Sequence, residues 1–432
     1  MNYNKIFNKL YPLCRSISGP GFRNSLKILS KFINFRIYKF RSRDKVYDWK
    51  IPMEWSINDA YILDGYGKKI VDFKKNNLHV VNYSCPVEGK YSKKSLLKKI
   101  HSIKRFPNLI PYVTSYYKKN WGFSVKHKNL KKFKTNSYFV KIDSNLSLGH
   151  IEYGLKILKG RTNKIILISS YLCHPSMANN ELSGPLVLLG LYEKIKKLKN
   201  RKFTYYFLIN PETIGSICFI NKNENILKKN LVGGLVLTCL GGPKKNLTYK
   251  KSRDGNTRFD KIFTYLSKFD KGYEIREFDP TEGSDERQYC SAKLNFPVGQ
   301  VARTVYGQYD EYHTSGDDKK FMKISNIEKS VNMIIKVIKI NEHINPIERI
   351  NPKCEIQLGK RNLYPNLASF KTRKQSSDDR IDNRNQLRII QNILSYADGQ
   401  HFLIDIATKL NINLSLIKKV NHILKKNKLV KN

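Results

Sequence analysis

The chain has 432 residues, room for two or three domains of ~150 residues each. Its 40% hydrophobic and 12% aromatic content excludes a chain disordered throughout. Lysine and arginine outnumber aspartate and glutamate by 80 to 35, so the net charge of +45 excludes an acidic solvating protein and leaves two readings. One is a polyanion partner, either nucleic acid or an anionic membrane surface. The other is a lysine-rich composition spread over ordinary surface; the even scatter of lysine, with only short runs at 118–119, 131–132 and 425–426, favours it. Seven cysteines, an odd number with no C-x-x-C pair, argue against a disulfide framework and for a reducing compartment. Residues 1–13 hold no apolar core of signal-peptide length, and no apolar run approaches the ~18 residues that span a bilayer. The expectation is a cytoplasmic protein without a membrane span.

In chain order, residues 1–45 read as one or two amphipathic helices. Leu26, Ile28, Leu29 and Phe32 form an apolar face, and Ser18-Gly19-Pro20-Gly21 is the punctuation. From 46 to 150 the texture is that of a small β-rich unit. It has strands at 61–63, 69–73, 79–83 and 137–142, turns at Asp64-Gly65 and Tyr66-Gly67, and a short basic helix over 92–105. Tyr112, Tyr116, Tyr117, Trp121 and Phe123 are either a stacking wall for sugar or peptide or, as is commoner for aromatics, core. From 151 the pattern is α/β. Ile165-Ile166-Leu167-Ile168 is the continuous apolar run of a buried strand within 164–169; a helix over 184–197 and strands over 203–209 and 231–240 follow. Ser325-x-x-Glu328 predicts a capping box opening a helix with Ile327, Val331, Ile334 and Ile338 on one face. Residues 370–385 are polar and read as a linker. Three short amphipathic helices follow, the last carrying Leu416, Val420 and Leu424.

Four segments carry chemistry. Directly after the buried strand stands Cys173-His174-Pro175-Ser176-Met177-Ala178-Asn179-Asn180-Glu181-Leu182-Ser183-Gly184. Ligands gather at the carboxyl ends of strands in open α/β sheets, so His174 and the acid after it suit a metal. A satisfied loop histidine is the plainer alternative. Asn210-Pro211-Glu212-Thr213-Ile214-Gly215-Ser216 follows the next strand. There Glu212 is a metal ligand, a general base for water, or an acid complementing a helix N-terminus. Gly283-Ser284-Asp285-Glu286-Arg287-Gln288 is the third, and Tyr312-His313-Thr314-Ser315-Gly316-Asp317, downstream of Arg303, is the fourth. Singly, each of these last two reads equally well as charged surface.

Taken in order, the four segments resemble the zinc aminopeptidases, whose motifs run His, Asp-Asn-x-Ser-Gly, Glu-Glu-x-Gly, Ser-Asp and His-Thr-x-x-Asp. They resemble more closely a bacterial family of polysaccharide-biosynthesis proteins with an aminopeptidase-like domain. The likeness includes Asn82-Tyr83-Ser84, the stretch 111–117 and Gln357-Leu358-Gly359-Lys360-Arg361, and so spans nearly the whole chain. The resemblance implies an α/β fold with a mixed sheet flanked by helices, an inserted small β-rich domain and a C-terminal winged helix-turn-helix. The expected limits are 1–45 with 151–370 for the aminopeptidase-like domain, 46–150 for the insertion, 371–384 for a linker and 385–432 for the winged helix.

The same resemblance implies a metal-dependent hydrolase of an amide bond, either an N-terminal peptide bond or an N-acyl group on a sugar or metabolite, using a zinc-activated water. The family name adds a link to surface-polysaccharide biosynthesis. The alternative is a non-catalytic metal-binding or DNA/protein-binding regulatory protein that keeps the fold. The chain departs from the two-zinc pattern: the bridging Asp falls on Asn180, the next position on Glu181, and 239–242 offer no carboxylate. One zinc is therefore expected rather than two, held by His174, Glu181 and His313 with the fourth position open. Whether Asn180 or Glu181 faces it stays open, as does Glu212 as base or ligand. Asp285 is expected to orient the site or act as a second acid/base. Arg287 and Arg303, with their guanidinium forks, and Tyr312 are expected to bind substrate. The partners implied are a peptide, amide-bearing metabolite or sugar. Lys418, Lys419, Lys425 and Lys426 would contact nucleic acid if the winged helix reads DNA rather than protein.

Overall fold

The computed structural model of the protein describes residues 1–364 and 383–431. The expected linker, 371–384, lies outside the described residues except for its last two positions, which open a helix. By internal contacts the chain parts into two units, 1–260 with 274–336, and 261–273 with 337–432.

The first unit is built on an eight-stranded sheet. Its strands are β1 (Arg36–Arg41), β2 (His150–Leu158), β3 (Ile165–Tyr171), β4 (Thr204–Asn210), β5 (Leu231–Leu237), β6 (Leu247–Lys250), β7 (Tyr273–Arg276) and β8 (Val298–Ala302). Their order across the sheet is β1-β2-β4-β3-β5-β8-β6-β7. The four central strands β4, β3, β5 and β8 run parallel, while β1, β2 and β6 pair antiparallel. Every residue of β3 and β4 is buried, the condition of strands covered on both faces, which is why they carry the apolar runs 165–168 and 205–209. Helices α1 (Ser183–Lys196), α2 (Ile214–Asn230) and α3 (Ile324–His343) follow β3, β4 and β8. A separate four-stranded antiparallel sheet comprises Lys69–Asp72, Glu54–Leu63, Ser137–Ser147 and Val87–Ser92 in that order. Its Ile62, Val71, Val140 and Ile142 belong to one continuous apolar core with Leu167 and Val236 of the large sheet.

Several local expectations differ from the structure. The N-terminal segment forms helices Tyr3–Leu10 and Pro20–Ser30, but Arg36–Arg41 is an edge strand of the large sheet, and Phe32 is 41% exposed instead of facing a core. The 79–83 stretch is no strand: His79 ends the short helical turn Asn77–His79, and Val80 and Asn82 form isolated bridges; the basic helix is confined to Lys93–Leu97. Ser325 lies within the first turn of α3, because the Ile327 amide already bonds the Lys323 carbonyl; the predicted capping box does not form.

The second unit contains α4 (Asn383–Tyr396), α5 (Leu403–Leu410) and α6 (Leu414–Lys426). A two-stranded ribbon, Pro346–Glu348 against Asp398–Phe402, completes the winged-helix arrangement. Ile390, Ile404, Ala407, Ile417, Val420 and Leu424 fill its core. Asp405 caps α5 through the Phe402 amide at 2.8 Å and ion-pairs with Lys261 at 2.9 Å. Among the described residues no helix is long and apolar enough to cross a membrane.

Gly184 shows how tightly α1 seats on the sheet. A Cβ there would overlap Ser170 Oγ and the Leu237 carbonyl oxygen, which are themselves hydrogen-bonded at 2.9 Å. Gly184→Ala is expected to destabilise the first unit by ~1–3 kcal/mol through overpacking. Calorimetry reads this as a lower melting midpoint, and an unchanged midpoint contradicts the packing described.

Candidate metal and active site

The site lies at the carboxyl ends of the parallel strands. Register places Tyr171 of β3 beside Asn210 of β4, so the loops leaving them deliver His174 and Glu212 to the same place. His174 Nε2 is 3.7 Å from Glu212 Oε2. The fourth segment joins them: the rings of His174 and His313 stand 5.2 Å apart. His313 adopts φ +52°, unusual for a non-glycine residue, and its carbonyl accepts the Tyr112 amide at 2.8 Å. That bond brings the Tyr112 ring within 5.1 Å of His174 and 5.3 Å of His313.

Behind His174 lies a buried charged chain. Its Nδ1 bonds Glu181 Oε2 at 2.7 Å, and Glu181 faces Arg15 Nε at 3.9 Å with neither side chain exposed. Arg15 also donates to the carbonyls of His174, at 2.9 Å, and of Leu10. The sequence led to Glu181 as a metal ligand; here its Oε2 meets Nδ1 instead, the arrangement that fixes a histidine tautomer and turns Nε2 outward. Burial pulls the His174 imidazole down, Cys173 and Glu181 push it up, and the net lies well above its ordinary value. Burial raises the Cys173 thiol itself to about 12, which leaves it uncharged, so Glu181 is the charge that matters. Burial, with His174 nearby, holds His313 down at about 3, as a neutral imidazole.

Glu212 sits on a classical γ-turn. Thr213 has φ +64° and ψ −77°, and the Ile214 amide bonds the Glu212 carbonyl at 2.8 Å. Such a conformation is strained for a β-branched residue and persists only when its surroundings impose it. Asp285 imposes it: Oδ1 accepts the Thr213 amide at 2.6 Å and Oδ2 accepts Asn210 Nδ2 at 2.9 Å. Asp285 is fully buried behind the loop with both oxygens occupied, so the structure places it as a positioning group and not as an acid/base facing substrate. Ser284 Oγ donates to Glu212 Oε1, leaving Oε2 toward the cavity. Burial raises the Glu212 carboxyl, against the lowering effect of His174 and Ser284.

The cavity has a volume of about 420 Å³, and His174, Glu212, His313, Cys173, Tyr112 and Tyr116 are among its walls. Tyr117 also lines it; of the five aromatics singled out in the sequence, Phe123 is instead core and Trp121 packs partly buried against the core. Tyr312 stacks on His313 at 3.9 Å and props the ring without lining the cavity. Arg303 is corrected as a substrate-binding candidate. It is buried, and it donates to the Lys244 and Lys245 carbonyls and to Ser330 Oγ. Arg287 leans on the carbonyls of Ser284 and Pro280 and also lies off the cavity wall.

Cys173, Arg15 and Asp317 have site roles that carried no separate signal in sequence. Cys173, His174 and Glu212 present ligand atoms that all lie within 4.8 Å of one another, a thiol, an imidazole and a carboxylate of the kinds that bind zinc. Arg15 supplies the buried countercharge. Asp317 clamps the π-helical turn Ala178–Leu182 that carries Glu181, accepting the Asn179 and Asn180 amides at 2.5 and 2.8 Å.

Burial pushes Asp317 up to about 7, above an unfolded value of ~3.9. The native chain therefore keeps a proton that the unfolded chain releases. The stability this group contributes is complete below about pH 4 and is lost as pH rises through about 7. Asp317→Asn has no titrating proton there. Its melting midpoint is expected to lie further below that of the unsubstituted protein at about pH 5 than at about pH 8. An equal gap at both pH values refutes the assignment.

Comparison with known proteins places this geometry. Residues 4–344 match the family described as a domain of unknown function (DUF4910), and residues 345–432 match a winged helix-turn-helix family. A Clostridium acetobutylicum protein named "Putative polysaccharide biosynthesis protein with aminopeptidase-like domain" is 40% identical over 418 residues, 96% of this chain and 92% of that protein. A crystal structure of a "putative peptidase" from the same organism superposes with a TM-score of 0.82 at 37% identity, covering 99% of this chain and 95% of the other. A zinc aminopeptidase from Bacillus subtilis shares the fold, with a TM-score of 0.56 at 10% identity over 78% of this chain and 94% of that one. With strand order, strand-end site and C-terminal winged helix all in place, the chain belongs to the DUF4910 family of aminopeptidase-like proteins.

Proposed function

We propose that the protein is a zinc-dependent amide hydrolase acting on an N-terminal peptide bond or an N-acyl group of a sugar or metabolite. The observation that carries this reading is the Glu181–His174 bond on Nδ1, which commits Nε2 to the cavity beside Glu212. The converging donors Cys173, His174 and Glu212 fit one zinc ion; with Glu212 kept as base, His174 Nε2, Cys173 and the neighbouring His313 would hold it. When bound, zinc polarises a carbonyl and lowers the pKa of a water to about 7. Glu212 Oε2 receives the proton from the attacking water, and a carboxylate raised by burial suits that task. Glu181 orients His174, and Asp285 holds the strained turn beneath Glu212. The mostly apolar walls and the tyrosines exclude bulk water from the amide.

We place the protein in the cytoplasm, since all seven cysteines are free thiols. For the winged helix we propose contact with duplex DNA along α6. Lys418, Lys419, Lys425 and Lys426 are exposed there while Ile417, Val420 and Leu424 face the core. Binding should then weaken steeply with salt; equal affinity at low and high salt, or none at low salt, removes this part.

Zinc content and hydrolysis of aminoacyl anilides and N-acetylhexosamines test the catalytic reading. The protein should carry about one equivalent of zinc. His174→Ala should lose both metal and activity. Glu181→Gln should weaken metal affinity ~10–100-fold as an orienting partner. Glu212→Gln should keep the metal and lose ~10²–10⁴ in rate as a base. Loss of zinc in Glu212→Gln would make it a ligand instead. Retained zinc with no amide hydrolysed by the unsubstituted protein would favour a non-catalytic binding protein.

A further inference from the structure

A second cavity of about 540 Å³ lies beside the first, and Trp49 is a wall of both. Trp49 stands on a tight hairpin, Lys45–Val46 against Trp49–Lys50, whose turn holds Tyr47 at φ +52°. Trp49 and Tyr117 are large aromatic rings left exposed, at 36% and 55%. They meet edge to face with centroids 5.7 Å apart, a contact that leaves each ring a face not taken up by the other. The second cavity has an apolar floor that includes Ile217 and Ile220 and a polar rim that includes Glu224, Lys228 and Gln288. The rim is pre-organised: Tyr47 OH donates to Glu224 Oε2 at 2.5 Å, and Lys228 Nζ pairs with Glu224 Oε1 at 2.5 Å.

We propose that the two cavities are one extended site for a glycan containing an N-acyl-hexosamine, with the sugar linked to the one that bears the scissile N-acyl group stacked on Trp49. The proposal rests on the hydrolase reading and narrows its substrate. A pyranose ring has an apolar C–H face and a rim of hydroxyls. The indole plane and apolar floor match the first, and the Glu224, Lys228 and Gln288 rim matches the second. Glu224 and Asp48 are matched in this cavity by Lys228 and Lys293, so its walls carry no excess positive charge to select a polyanion. A purely apolar chain would take the Lys228–Glu224 pair and Gln288 out of water and offer them no donor or acceptor, which costs free energy. A neutral, hydroxyl-rich ligand satisfies both halves.

The test uses the full chain, N-acetylglucosamine and its β-1,4-linked trimer, with binding followed by calorimetry and tryptophan fluorescence. Trp55 is buried and Trp121 half-buried, so Trp49 is the indole a ligand can quench most directly. The trimer is expected to bind at least ~10-fold more tightly than the monomer, the scale of one added stacking contact. Trp49→Ala should abolish that ratio, and Trp49→Phe should keep most of it. Ser291→Arg, which fills the second cavity and leaves the hairpin untouched, should weaken the trimer alone. Equal affinities for trimer and monomer, a ratio unchanged in Trp49→Ala, or no binding of either sugar overturns the proposal. A preserved ratio with no amide cleaved supports the extended site and overturns the hydrolase reading, so the two fail separately.

Discussion

Glu181 has no exposed side-chain surface, and an ionised carboxylate taken out of water is tolerated only when charges and donors meet it. Arg15 and His174 meet it, and the rest of the site follows from that compensation. Because Arg15 also binds the carbonyls of Leu10 and His174, the segment after the first helix is tied to the loop that leaves β3. Because Glu181 takes Nδ1, the imidazole has one orientation and one free nitrogen. Removing any member would leave a buried charge without its partner, which is costlier than never having buried the pair. The arrangement is thus selected for geometry more than for stability.

The loops around His174 and Glu212 are irregular, and each irregularity has a carboxylate behind it. The π-helical turn Ala178–Leu182 presents its amides to Asp317; the γ-turn at Thr213 presents one to Asp285. A carboxylate accepting two donors in a low-dielectric interior fixes backbone that propensity alone would not choose. Ser176, Cys239 and His313 add three more non-glycine residues at positive φ in the strand-end loops. Four such residues, Thr213 included, stand in the loops that carry the site, where strain is held by the surrounding structure.

The regular part of this molecule was legible in the sequence, and the irregular part was not. Strands β3, β4 and β5 announce themselves because strands covered on both faces carry apolar residues on both. Strand β1, Arg-Ile-Tyr-Lys-Phe-Arg, alternates as an edge strand does, and it was lost among helical signals from residues 1–45. His174, Glu212 and His313 could be named because their residue types follow strands in a fixed order. Their division of labour depends on which nitrogen Glu181 meets and on whether Asp285 points into the cavity or behind it, and side-chain direction in a loop has no period to read. Arg15 and Trp49 escaped for the same reason. Arg303 misled because guanidinium chemistry fits a buried backbone knot as well as a substrate carboxylate.

The charge of the chain also looks different once its interior is known. Among the described residues the buried charged groups are Glu152, Glu181, Asp260, Asp285, Glu286 and Asp317 against only Arg15, Lys250 and Arg303. Acids are drawn inward to clamp loops and helix ends, so the exposed surface is more basic than the composition. Such a field attracts any polyanion and therefore identifies none. Selectivity has to come from places where charge is balanced and shape is fixed. The cavity shared across Trp49 meets that condition, because Glu224 pairs with Lys228 there and the partly exposed indole lines the same space. A neutral ligand bound in a strongly positive protein would owe little of its affinity to the overall field, and would keep that affinity as salt is raised while non-specific anion binding falls away.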